Sequence, residues 1–232
     1  MKTVIVNYCP SMGISGFSSL KNINSDNFIP IQKYSDHEDK NYYFRECPAW
    51  NEWANSTYVY YAQEDIEFRF DSKYQSMTSD TLSDEIAMNR LSPGENWLRG
   101  PNPIIQYFSM LFLWTSSSQV WVEQSGFPSG IDNCEIIPGM FPISSWYRPL
   151  VVALKLKKDA NIKIKRGMPL YTIRFRTEYP CSIILQQSIP SEEQLKMYHY
   201  DLTYKKDHPN ESWSLIKKRM KCPVEFLWKK TT

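Results

Sequence analysis

The sequence is poor in the residues from which reactive centres are usually built. Its five cysteines, Cys9, Cys47, Cys134, Cys181 and Cys222, are odd in number and widely spaced, with no Cys-x-x-Cys pair among them. That spacing gives no zinc or redox motif and leads us to expect reduced, mostly buried thiols in a cytosolic protein. Only three histidines are present. No serine stands in a Gly-x-Ser-x-Gly elbow, so no nucleophile is singled out. No apolar run approaches the roughly 18 residues of a membrane span. At the start, Val4-Ile5-Val6 before Asn7 is too short an apolar run for a signal peptide. The expected location is therefore cytoplasmic, with no membrane partner. Neither sign of charge dominates: the net charge is +2, with the basic residues dispersed, so the field of the whole chain makes nucleic acid an unexpected partner. A local exception is Lys217, Lys218, Arg219, Lys221, Lys229 and Lys230, which reads as a solvated helix face.

Glycine is scarce as well, at 8 residues, whereas aromatics reach 15%, including 8 Trp and 15 Tyr, at a mean hydropathy of −0.49. Rings that fill the space between sheets beneath a polar surface suit a β-rich protein. The 232 residues are enough for one substantial core, and we expect one domain over 1–232. The most regular stretch runs from Pro138 to Phe175. Leu150, Val152, Leu154 and Leu156 alternate with Val151, Ala153, Lys155 and Lys157, the period of a strand with one wet face. Asp159, Ala160 and Asn161 make a turn, Ile162 and Ile164 resume the alternation, and Gly167 turns the chain into Tyr171, Ile173 and Phe175. We read these as three successive strands of a meander, half of a β-sandwich or jelly-roll core.

Further strands are expected over Thr3–Tyr8, over Phe28–Tyr34 as an edge strand because Pro30 lacks a ladder donor, and over Tyr42–Cys47. Thr57–Tyr61 and Ile66–Phe70 read as hairpin arms, as do Ile104–Thr115 and Val120–Val122. Residues 71–103 read as a long loop excursion, rich in Ser, Thr, Asp and turn dipeptides. A last strand covers Cys181–Gln186. Then Ser191, followed three residues later by Gln194, forms a capping box that opens a helix through about Tyr200. Asn210 would cap a second short helix, placing C-terminal helices within 190–221 across an end or edge of the sandwich.

Two blocks carry a resemblance. The Pro-Gly-Glu-Asn-Trp-Leu-Arg-Gly-Pro run from Pro93 to Pro101, and the later Trp146-Tyr147-Arg148-Pro149 leading into the strands that end at Phe175, resemble a family of β-rich proteins of unknown function found in bacteria and tailed phages. The resemblance covers about the central third of the chain. It implies a fold of this kind and a phage or bacterial source, and it implies no activity.

Four kinds of chemistry can be weighed on the residues. His37-Glu38-Asp39 has the His-x-Asp spacing of the triad that holds iron in Fe(II)/2-oxoglutarate-dependent oxygenases, with His208 as third ligand and Arg219 for the 2-oxoglutarate carboxylate. However, His37 lies in a charged loop and His208 sits between Asp207 and Pro209, so surface histidines are the plainer reading. Gly130-Ile131-Asp132-Asn133 with the later Gly167–Phe175 strand is similar to the trimeric dUTP pyrophosphatases, in which Asp132 would be the general base. The chain lacks their glycine-rich tail, and a turn aspartate is the plainer reading of Asp132. The cysteines read as structural. The remaining candidate is a recognition surface formed by Trp97, Arg99, Trp146, Tyr147 and Arg148, where rings and guanidinium groups could stack on or grip a partner. We therefore expect a binding or structural β-module without a cofactor. Its partner is open between protein, small molecule and a second copy of the chain.

Overall fold

In the computed structural model, the described residues are 2–10, 28–30, 47–62, 65–73, 76–79, 91–92, 103–127 and 131–207. They form fourteen strands and two helices. The strands are β1 (Lys2–Pro10), β2 (Phe28–Pro30), β3 (Thr57–Tyr61), β4 (Ile66–Asp71), β5 (Ser76–Ser79), β6 (Leu91–Ser92) and β7 (Ile104–Trp114), followed by β8 (Val120–Gly126), β9 (Cys134–Ile137), β10 (Gly139–Pro142), β11 (Pro149–Leu156), β12 (Asn161–Ile164), β13 (Pro169–Thr177) and β14 (Cys181–Gln187). The helices are α1 (Pro48–Ala54) and α2 (Glu192–Asp207). This is an all-β, sandwich-like fold with a C-terminal helix.

Three sheets share the strands. A six-stranded sheet runs β14-β1-β7-β11-β9 with β6 on β7, a five-stranded sheet runs β10-β8-β13-β3-β2, and a three-stranded sheet runs β12-β4-β5. The inner faces of all three feed one core: Val6, Tyr107, Leu111 and Leu154 from the first, Tyr60, Val122 and Tyr171 from the second, Phe68 and Ile162 from the third. A hydrogen bond ties the two larger sheets through that core, Tyr60 Oη donating to the carbonyl of Ser109 at 2.5 Å. Each larger sheet also carries a helix on its outer face. Trp50 and Trp53 of α1 pack against Val59 and Phe127, and Tyr198 of α2 packs against Cys9, Phe112 and Trp114.

The alternation read in the sequence gives the correct faces. Leu150, Val152, Leu154 and Leu156 are buried, as are Ile162, Ile164, Tyr171, Ile173 and Phe175. The expected meander is not what forms: β11, β12 and β13 go to three different sheets. Nor are Thr57–Tyr61 and Ile66–Phe70 a hairpin, since β3 pairs β13 while β4 pairs β12. Likewise β7 pairs β11 and β8 pairs β13. In each case the connection crosses between layers, because period-2 burial fixes which face is inward and leaves the hydrogen-bonded neighbour open.

Three other expectations change. Cys47 is the N-cap of α1 and not the end of a strand; Tyr42 to Glu46 lie outside the described residues. Within 71–103, the loop excursion contains the strands β5 and β6. The C-terminal helix lies on the outer face of the six-stranded sheet and not across its end, because Phe112 and Trp114 present large rings there. The second helix expected at Asn210 and the basic cluster from Lys217 lie outside the described residues. The Phe28 edge strand is observed over Phe28–Pro30, at the rim of its sheet. Cys9 is buried, Cys134 and Cys181 are half-buried and Cys47 is exposed, and all four are free thiols.

Candidate functional site

The corner from Trp146 to Arg148 joins the two large sheets, as the chain leaves β10 and enters β11 at Pro149. The backbone N–H of Trp146 donates to the Pro142 carbonyl at 3.1 Å, closing the turn. The Trp146 ring meets Phe141 edge-on, with centroids 5.7 Å apart, and only 9% of the residue is exposed. The Arg148 guanidinium lies 4.6 Å from the Trp146 ring centroid and 6.0 Å from that of Phe141, a cation–π arrangement. The Tyr147 backbone N–H donates to Asp201 Oδ2 of α2 at 2.6 Å.

Asp201 makes this corner a seat for the helix. It is 8% exposed. Burial pushes its carboxyl up to about 7, while the Tyr147 N–H and the Arg148 charge pull the other way. Burial also lowers Arg148 to about 10, opposed by Asp201 and Tyr198. Both shifts say that desolvation outweighs the attraction between the two groups. The Tyr147 hydroxyl is raised too, by burial first and then by Glu193 and Asp201. Beside them, Phe112 stacks on Trp114 at 4.8 Å and meets Tyr198 edge-on at 4.9 Å. Tyr147 and Arg148 thus face α2, the first through its backbone bond to Asp201 and the second through the charge of Asp201, while Trp146 packs on Phe141 and Arg148.

The sequence grouped Trp97 and Arg99 with this corner; both lie outside the described residues, as do His37, Asp39 and His208. Asp132 is exposed in a two-residue turn before β9, where Asn133 has φ 63°. Among the described residues there is no group of three or more His, Cys, Asp or Glu side chains able to hold a metal ion. A cleft of about 200 Å³ is lined by Gly126, Phe127, Ile131, Cys134, Glu135 and Ile136. It is smaller than the roughly 300 Å³ at which ligand pockets begin. Burial pushes the Cys134 thiol up to about 12, so it is protonated and a poor nucleophile at neutral pH. The Cys9 thiol is likewise pushed up to about 12 by burial.

A second surface was not singled out by the sequence. Among the described residues, β14 is the outermost strand of the six-stranded sheet and pairs only with β1, in parallel. On the outer face Ile184 stands 51% exposed, directly beside its register partner Ile5, which is 45% exposed. On the inner face Cys181, Ile183 and Leu185 pack on the core yet stay only half-buried, because no further described strand covers them. The unbroken Ile183-Ile184-Leu185 run was the available signal, since a strand with one wet face would place a polar residue at 184. No protein-family profile matches the chain, and no curated protein matches it. Among the described residues, no helix is long and apolar enough to cross a membrane.

Proposed function

We propose that this chain is a non-enzymatic binding or structural β-module whose contact surface is the β14 edge with the adjoining Ile5 and Ile184. The observation that carries the reading is the pair of neighbouring isoleucines, 45% and 51% exposed, at the rim of the sheet formed by the described strands. Unpaired strand groups next to apolar side chains are what strand addition uses: the backbone supplies affinity and alternate side chains supply selectivity. Trp146, Tyr147 and Arg148 then serve as positioning residues for α2. The resemblance of the Pro93–Pro101 and Trp146–Phe175 stretches to β-rich proteins of bacteria and tailed phages supports a phage or bacterial origin.

Two single variants separate the roles. Ile184→Lys puts a charge on the exposed side of β14 and should abolish association while leaving thermal unfolding within a degree or two of the parent. Arg148→Ala should lower the unfolding temperature and leave association intact. The opposite pattern would return the contact surface to the corner.

A further inference from the structure

We infer that β14 pairs with β14 of a second copy of this chain, antiparallel about a two-fold axis at Ile184, joining two six-stranded sheets into one. The inference rests on the reading of β14 as the contact edge. It comes from a comparison of the strands that end the three sheets. β2 and β10 carry Pro30 and Pro142, β12 carries Lys163, and β5 and β9 are only four residues long. Prolines, charges and shortness are the usual means by which rims are kept from pairing. β14 has none of them: its seven residues, Cys-Ser-Ile-Ile-Leu-Gln-Gln, include no proline and no charge.

The same seven residues are complementary to themselves. Antiparallel pairing centred on Ile184 sets Ser182 opposite Gln186, Ile183 opposite Leu185 and Cys181 opposite Gln187 of the second copy. Residues directly opposite in an antiparallel pair share a face, so every polar outer residue meets a polar one. The half-buried Ile183 and Leu185, which pack on the core at its open side, gain an apolar neighbour. The exposed Ile5 and Ile184 become one apolar stripe of four isoleucines, two from each copy. The ladder's end pair, Cys181 with Gln187, is not matched in this way, and an unrelated charged strand would forfeit the match at the central positions 182 to 186. A two-fold axis also closes the assembly at two copies, because each chain uses the one such edge among its described strands.

The pairing adds a short ladder and buries a modest area, so it is concentration-dependent. The test is sedimentation of the full chain over a range of concentrations. The expected mass rises with concentration to twice the 27.4 kDa of one chain and no further. Ile184→Lys, which opposes two lysines on the axis, should stay at the single-chain mass with an unchanged circular dichroism spectrum. Ile184→Cys should cross-link through residue 184 to itself on mild oxidation, as mapped by mass spectrometry, because opposed residues bring their Cβ atoms to about 5 Å. A parent chain that stays single at every concentration overturns the inference, as does a dimer that survives Ile184→Lys. A synthetic peptide of Cys181–Gln187 distinguishes the two failures. A single chain that still binds the peptide keeps the edge as a contact surface for another protein, whereas a single chain that does not bind it loses both.

Discussion

At the residue scale, Asp201 is the group whose chemistry most depends on the fold. Its carboxyl titrates at about 7 in the folded chain, against an ordinary value of 3.8. The unfolded chain therefore ionises first as pH rises, and the folded state holds the extra proton between about 4 and about 7. Stability contributed by this site is fully present at the acid end of that window and declines towards its upper end, by a total on the order of a few kcal/mol. Thermal unfolding followed across that window should show the decline, and Asp201→Asn should flatten it, since the amide oxygen still accepts from the Tyr147 N–H. A slope unchanged in Asp201→Asn would assign the titration elsewhere. Tyr171 provides a contrasting test. Its hydroxyl and Gln124 Nε2 are buried, and neither makes a bond of full geometry; Ser109 and Gln124 beside the hydroxyl only partly offset its desolvation, and a buried polar atom short of a full hydrogen bond carries a desolvation cost of about 1–3 kcal/mol. Tyr171→Phe should consequently match or exceed the parent in denaturant stability.

At the scale of elements, legibility followed whether the signal was local. Ser191 and Gln194 were read as a capping box, and the structure has both of its bonds: Ser191 N–H to Gln194 Oε1 at 2.8 Å and Gln194 N–H to Ser191 Oγ at 3.3 Å. Ser191→Ala should cost about 1 kcal/mol, seen as faster amide exchange in the first turn of α2. The helix was expected to end near Tyr200 and continues to Asp207. Among its described side chains the buried ones are Tyr198, Asp201 and Tyr204, tyrosines and a carboxylate that hydrophobic periodicity does not mark. Its seat was hidden for a related reason. Phe112 and Trp114 are apolar positions on the outer side of β7, and a strand apolar on both sides does not say what covers it. Phe112 is fully buried and touches Trp114, Tyr147 and Tyr198. Phe112→Ala should cost about 3–5 kcal/mol, read by chemical denaturation together with increased exchange along α2.

For the whole molecule, the sequence yielded the class and missed the wiring. Leu150 to Phe175 showed which side chains turn inward, and the structure buries them as read. The pairing of β11 with β7, of β12 with β4, and of β13 with β3 and β8 joins strands far apart in sequence. Local turns cannot specify such pairings; the shared core has to. The candidate site was legible in the same partial way. Trp146, Tyr147 and Arg148 stood out by residue type, but only the position of α2 places Asp201 against them. The β14 rim owes its character to two residues distant in sequence, Ile5 and Ile184, brought side by side by a parallel pair of strands.

The central claim, that this rim is where the molecule makes contact, is tested most directly by amide hydrogen exchange on the full chain at low and high concentration. The account predicts that amides within Cys181–Gln187 become more protected on concentration, while those of Cys134–Ile137 at the opposite rim do not change. Unchanged exchange in β14, with new protection appearing around Trp146 to Arg148, would contradict it.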